Sequence, residues 1–123
     1  MDTNAIKSVL ETYFDAAFES NGDKFKEVFH EAAHIYGCAD GDLYDNPRDD
    51  FVKFVMNEIP PDFPAWKRQD EIFSIDFTSE RPAVARVKVR VMSTLFTDIL
   101  SLIKIDDKWT IIAKVFAGAP ATD

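Results

Sequence analysis

The sequence predicts an α+β domain in which three N-terminal helices cover one face of a mixed, mostly antiparallel sheet. Three observations carry this prediction. Ile6, Val9, Leu10, Tyr13, Phe14 and Ala17 recur at the spacing of one helical stripe. Asn46-Pro47-Arg48-Asp49 reads as a second strong helix start. The last third, Pro82 to Ala117, reads as three consecutive strand-type runs, the last two joined by a tight Asp106-Asp107 turn.

The elements follow in order. Asn21-Gly22 breaks the first helix, and Asp23 is placed to cap a short second one whose Phe25, Val28 and Phe29 share a face. Ala33 to Cys38 suits a short strand. Ala39 to Asp42 suits a turn, and Leu43-Tyr44 a short return. The third helix runs to about Glu58, with Asn46 as cap and Asp49 and Asp50 meeting its positive end. It should bury Phe51, Val52, Val55, Met56 and Ile59, and Pro60-Pro61 should end it. Lys67 to Thr78 is a strand with Ile72, Ser74 and Asp76 on one side and Phe73, Ile75 and Phe77 on the other. In the next strand Ala83, Ala85, Val87, Val89 and Val91 oppose Arg86, Lys88 and Arg90, so one face is buried and one solvated.

Bulk properties narrow the function classes. A chain of 123 residues, 46% hydrophobic, suits a single domain over residues 1–123 with a real core. A net charge of -8 disfavours nucleic acid and anionic membrane surfaces. One cysteine, Cys38, excludes an internal disulfide. There is no run of about 18 apolar residues. The first residues lack the basic and apolar regions of a signal peptide, so the expected location is cytoplasmic.

The segments Tyr13-Phe14-Asp15, Val28-Phe29-His30, Phe96-Thr97-Asp98, Leu100-Ser101-Leu102 and Trp109 to Phe116 carry a family resemblance over nearly the whole chain. The chain resembles the nuclear-transport-factor-2-like superfamily (NTF2-like, SnoaL-like) and, within it, the group called putative lumazine-binding proteins. The resemblance implies a strongly curved sheet wrapped round a long helix into a cone with an apolar cavity, often dimerised through the outer face of the sheet. It does not imply one activity, because the superfamily holds isomerases, dehydratases, cyclases and non-catalytic binding domains. In its steroid-isomerase branch a tyrosine at the place of Tyr13 donates to the substrate oxyanion. There the general-base aspartate falls on Gly37 and the oxyanion-hole aspartate near Ser101. The resemblance therefore implies that steroid-isomerase chemistry is absent.

The candidate ligand-binding residues are Tyr13, His34, Tyr36, Trp66, Asp98 and Lys114. Tyr13 lies on the apolar stripe of the first helix, either as a hydrogen-bond donor to a ligand or as a core tyrosine with a local partner. His34 and Tyr36 alternate on a short strand and share a face. His34 could act as a base near neutral pH, or sit at a strand edge in solvent. Phe63 and Trp66 suit either a lid over the cavity or loop packing.

Asp98 interrupts an apolar strand, and Lys114 does the same in the last one; buried charges need partners. Strict pairing from a two-residue turn sets Ile99 opposite Lys114 and sends Asp98 and Lys114 to opposite faces. One would then line the cavity mouth and the other an interface, and only a bulge would unite them. Two histidines and one cysteine without close spacing predict no metal site, and no phosphate-cradling or dinucleotide-binding motif points to a cofactor.

The pocket is expected between the first helix and the sheet, lined by Tyr13, Tyr36 and the Ala83, Ala85, Val87 face. Its ligand would be a small apolar or aromatic molecule, neutral or mildly polar. The last two strands are apolar on both faces, which predicts a homodimer through the outer one. Three functions fit: small-molecule binding without catalysis, acid-base catalysis of cyclase, dehydratase or isomerase type on an apolar substrate, and a dimerisation or adaptor role.

Overall fold

The computed structural model describes residues 2–59 and 66–122. Helices α1 (Thr3–Glu19) and α2 (Gly22–Val28) are followed by strands β1 (Phe29–Ala39) and β2 (Asp42–Pro47), then α3 (Arg48–Glu58). Strands β3 (Asp70–Phe77), β4 (Pro82–Val91), β5 (Thr94–Ile105) and β6 (Lys108–Pro120) complete one sheet in the order β2-β1-β6-β5-β4-β3. Only the β1–β6 pair is parallel; the others are antiparallel. This is the α+β architecture that the sequence predicts.

Local chemistry sets the boundaries. The Asp2 side chain caps α1 by accepting from the Ala5 amide at 3.0 Å. Ser20 ends the helix in the left-handed region at φ 52. Asn21, rather than Asp23, caps α2, accepting from the Lys24 amide at 3.2 Å, so that Gly22 is already helical. Asn46 does not cap α3. It belongs to β2, and its amide donates to the Tyr44 hydroxyl, leaving Pro47 at the cap position without a side-chain bond. Asp40-Gly41 and Asp106-Asp107 take positive φ, as two-residue hairpin turns require. Pro60-Pro61 and Phe63 lie outside the described residues.

The helices cover the concave face, α1 over β4, β6 and β3, and α3 over β1 and β2. Ile6, Leu10, Tyr13, Phe14 and Ala17 are buried there against Ala33 and Ile35 of β1, Ala85 and Val87 of β4, and Leu100 and Ile111 further along. Burying each of the larger of these, the Ile, Leu, Val and Phe side chains, contributes about 1.5–3 kcal/mol. On α3, Val52 and Val55 are buried, whereas Met56 is half exposed. Arg90 departs from the solvated face expected for it: it is buried, with Nε donating to the Met92 carbonyl at 2.8 Å and Nη1 to Gln69 at 3.0 Å.

Three strand pairs carry register shifts, between Phe29 and His34, between Ile72 and Ser74, and between Ser101 and Leu102. Each bends the sheet locally. The shift in β3 leaves Phe73 without a β4 partner, so Ile72, Ile75 and Phe77 oppose Val87, Ala85 and Ala83 on the concave side. Strict alternation had put Ile72 on the other side.

Candidate functional site

The shift in β6 decides the site. Leu102 pairs with Ile111 and Ser101 with Ala113, so Ile112 has no partner on β5. Beyond it, Leu100 faces Lys114 and Asp98 faces Phe116. Leu100 is fully buried on the concave side, so Asp98 and Lys114 both point there. The expectation that they face opposite sides is thus overturned by one extra residue. The same change turns Phe116 inward and sends Ala113 and Val115 to the outer face.

Asp98 has no solvent exposure, and Tyr13 and Lys114 are 1% and 7% exposed. The Tyr13 hydroxyl donates a short hydrogen bond to Asp98 Oδ2. Lys114 Nζ stands 3.8 Å from the same oxygen, beyond hydrogen-bond length. Asp98 Oδ1 is buried and makes no hydrogen bond among the described residues. The lysine lies 4.9 Å from the ring centre of Phe51, 5.3 Å from Tyr13 and 5.7 Å from Phe116. Edge-on contacts of Tyr13 with Phe25 and Phe29, at 6.0 and 5.8 Å, complete the aromatic surround.

The electrostatics follow from this dry setting. Burial, and then the Asp98 charge and hydrogen bond, hold the Tyr13 phenol well above the usual tyrosine range. Burial pushes the Lys114 ammonium below the usual lysine range, while Asp98 opposes that shift. Tyr13 is therefore a donor at all ordinary pH values.

Tyr13 and Lys114 open onto a mostly apolar pocket of about 420 Å³ between the helices and one end of the sheet. Phe51, Phe54 and Val55 of α3, Val89 and Val91 of β4, and Phe116 form much of its wall. Glu58 is a carboxylate on its lining. The Ala83, Ala85 and Val87 positions expected to line it are instead sealed in the core. The pocket lies further along β4, so Val89 and Val91 take that part. The α3 and Phe116 contributions escaped sequence reasoning. The helical stripe alone places Phe51 and Val55 in core packing, and Phe116 turns inward only because of the bulge.

The remaining candidates lie elsewhere. His34 and Tyr36 are on the outer face of β1, stacked at 5.9 Å, with His34 Nδ1 2.7 Å from Asp45 Oδ1. Ala33, Ile35 and Gly37 hold the inner positions of that strand. Trp66 packs edge-on against Phe18 at 6.3 Å and is not part of the pocket wall. Gly37, where the family resemblance puts the isomerase base, is closed by Phe116: a Cβ there would lie 2.6 Å from the ring. Among the described residues there is no cluster of three or more metal-ligating side chains. No helix among them is long and apolar enough to cross a membrane.

Comparison with known proteins agrees with this architecture. A family model described as putative lumazine-binding matches residues 1–117. The aldolase FrzH of a Cladobotryum species is 28% identical over 121 residues, covering 95% of this chain and 91% of FrzH. An NTF2-like protein of unknown function from Methylobacillus flagellatus is 32% identical, with a TM-score of 0.81 over 94% of this chain and 90% of its own. One from Shewanella baltica is 26% identical, with a TM-score of 0.85 over 95% and 93%. With helices and sheet in this order and a family match along nearly its full length, the chain belongs to the putative lumazine-binding family of NTF2-like proteins.

Proposed function

We propose that the protein binds a small, mostly apolar and partly aromatic molecule in the pocket beneath α3. The observation that carries this reading is the convergence of Tyr13 and Lys114 on a mostly apolar concavity, with Asp98 buried behind both. A few placed polar groups in an apolar wall are what fixes a ligand's orientation. The single Tyr13 proton is committed to Asp98, which leaves the Lys114 ammonium as the donor, so the ligand should present an acceptor, such as a carbonyl or ring nitrogen, to Lys114. The family description, putative lumazine-binding, points to the same ligand chemistry.

The test is titration of the purified protein with lumazine and with 2-naphthol, followed by calorimetry and intrinsic fluorescence. Saturable binding of either probe at one site per chain, weakened about 5- to 150-fold by Lys114→Met, supports the reading; a lost hydrogen bond from a charged donor is worth about 1–3 kcal/mol. Absence of binding by both at millimolar concentration overturns it.

A catalytic reading is favoured by one specific finding, the similarity to an aldolase over almost the whole chain. The Tyr13–Asp98–Lys114 group would then supply its acid-base chemistry.

The outer face of the sheet supports a homodimer in this reading. Ile99 and Val115 are neighbours across β5 and β6 and are 46% and 47% exposed, and Phe73 adds a third exposed apolar side chain on that face. A two-fold contact would cover this surface self-complementarily. His34 and Tyr36 lie on the same face and would belong to that contact rather than to the pocket.

A further inference from the structure

We propose that Lys114 is a nucleophile that condenses with an aldehyde or ketone held in the pocket, forming an imine. The proposal rests on the ligand-binding reading above and narrows its ligand class to carbonyl compounds.

Four features of the site argue for it. The amine opens on a pocket with room for a ring-bearing carbonyl compound. It is not locked in a hydrogen-bonded ion pair, since Asp98 Oδ2 is 3.8 Å away and already accepts from Tyr13. Asp98 is nonetheless near enough to take a proton after a small side-chain movement. Its second oxygen, buried without a partner among the described residues, has free acceptor capacity. Finally, Lys114 is buried with three aromatic rings within 5.7 Å of its amine, which limits the water able to reach an imine there. Desolvation also lowers the proton affinity of the amine, which raises the reactive fraction near neutral pH.

The proton balance closes within the site. The Lys114 ammonium gives one proton to Asp98. The free amine attacks the carbonyl carbon, and the nitrogen's proton passes to the carbonyl oxygen, giving a carbinolamine. Asp98 returns its proton to that hydroxyl, which leaves as water, and the carbon–nitrogen double bond forms as a protonated imine. Ammonium plus carbonyl thus become protonated imine plus water, with no oxidant or reductant. Tyr13 keeps Asp98 oriented throughout. Such an imine acidifies the neighbouring C–H bonds, the activation that carbon–carbon bond formation through an enamine requires.

The charged and titratable groups around Lys114 come from several elements: Asp98 on β5, Tyr13 on α1, and Tyr44 on β2 and Glu58 on α3 along the same pocket. A pH profile must therefore be read against variants.

The experiment uses the full chain, benzaldehyde and sodium cyanoborohydride between pH 6 and 8, with intact mass spectrometry and peptide mapping. The expected result is one benzyl group per chain on Lys114, formed at least about tenfold faster than on the exposed lysines Lys7 and Lys26. Asp98→Asn should slow labelling and change its pH profile, with the far-ultraviolet circular dichroism unchanged. Lys114→Arg keeps the charge and should lose the fast labelling. Labelling of Lys114 no faster than of Lys7 and Lys26 overturns the proposal. If 2-naphthol or lumazine binds the same preparation, ligand binding stands while the imine falls; if neither binds, both fall.

Discussion

The ring of Phe116 occupies the place of a side chain at position 37: a Cβ built on Gly37 would lie 2.6 Å from its Cζ. Phe116 is itself held edge-on by Tyr44 at 5.5 Å and Phe96 at 5.7 Å, so it cannot swing away cheaply. Gly37→Asp, the change that would add a base here, should therefore destabilise the fold by at least about 1–3 kcal/mol through overpacking. Combining it with Phe116→Ala should recover part of that loss, with a coupling of about 0.5–3 kcal/mol. Urea unfolding of the two single variants and the double variant checks this; strict additivity would show that the ring is not the obstacle.

Tyr13→Phe removes the hydroxyl that Asp98 accepts and leaves a fully buried carboxyl with fewer partners. A loss of about 1–3 kcal/mol is expected at pH 7, measured by urea unfolding.

The two perturbed groups give opposite pH limbs. Lys114 titrates lower in the folded chain than its ordinary 10.5, so between those values the unfolded chain holds more protons and stability rises with pH. Tyr13 titrates above its ordinary 10.0 when folded, so above that pH the unfolded chain holds fewer protons and stability falls. Denaturation midpoints from pH 7 to 11 should show the alkaline fall weakened in Tyr13→Phe and the preceding rise weakened in Lys114→Met.

The His34–Asp45 pair is 40% and 41% exposed, which limits its worth. His34→Ala should change the stability of the subunit by no more than about 1 kcal/mol. It should leave binding of 2-naphthol unaltered, since His34 faces away from the pocket. A tenfold weakening of that binding in calorimetry would refute the separation of the two faces.

Val115→Glu places a charge at the centre of the apolar outer face, beside Ile99. Light scattering should give a dimer mass for the unmodified chain and a monomer mass for the variant, with the circular dichroism unchanged. A monomer mass for the unmodified chain at micromolar concentration would remove the dimer reading.

Most of the architecture was legible because periodicity and turn chemistry are local properties. The α1 stripe, the α3 span and the Ile105–Lys108 turn pairing were read correctly from them. Asp98 and Lys114 stood out as charges in apolar strands, but their meeting did not follow. A bulge leaves no reliable mark in a run such as Thr110 to Ala113, where every residue suits a strand. His34 and Tyr36 were grouped correctly by alternation, yet alternation cannot say which face a strand turns inward. That is set by Ile35 and Gly37 packing against other elements. The capping residues failed for smaller reasons: Asn21 and Asp23 compete for the first amides of α2, and Asn46 is drawn into the β1–β2 pairing opposite Ile35.

The unpaired Ile112 also governs how this strand corresponds to its counterpart in related chains. Before it, odd positions such as Trp109 and Ile111 face the core; after it, even ones do, including Lys114 and Phe116. A relative one residue shorter here would present the same lysine inward from an unbent strand. One of equal length without the bend would present it to the opposite face. Equivalent lysines across such chains are identified by the phase of the strand, with a gap admitted at this one position, and not by counting forward from the Asp106-Asp107 turn.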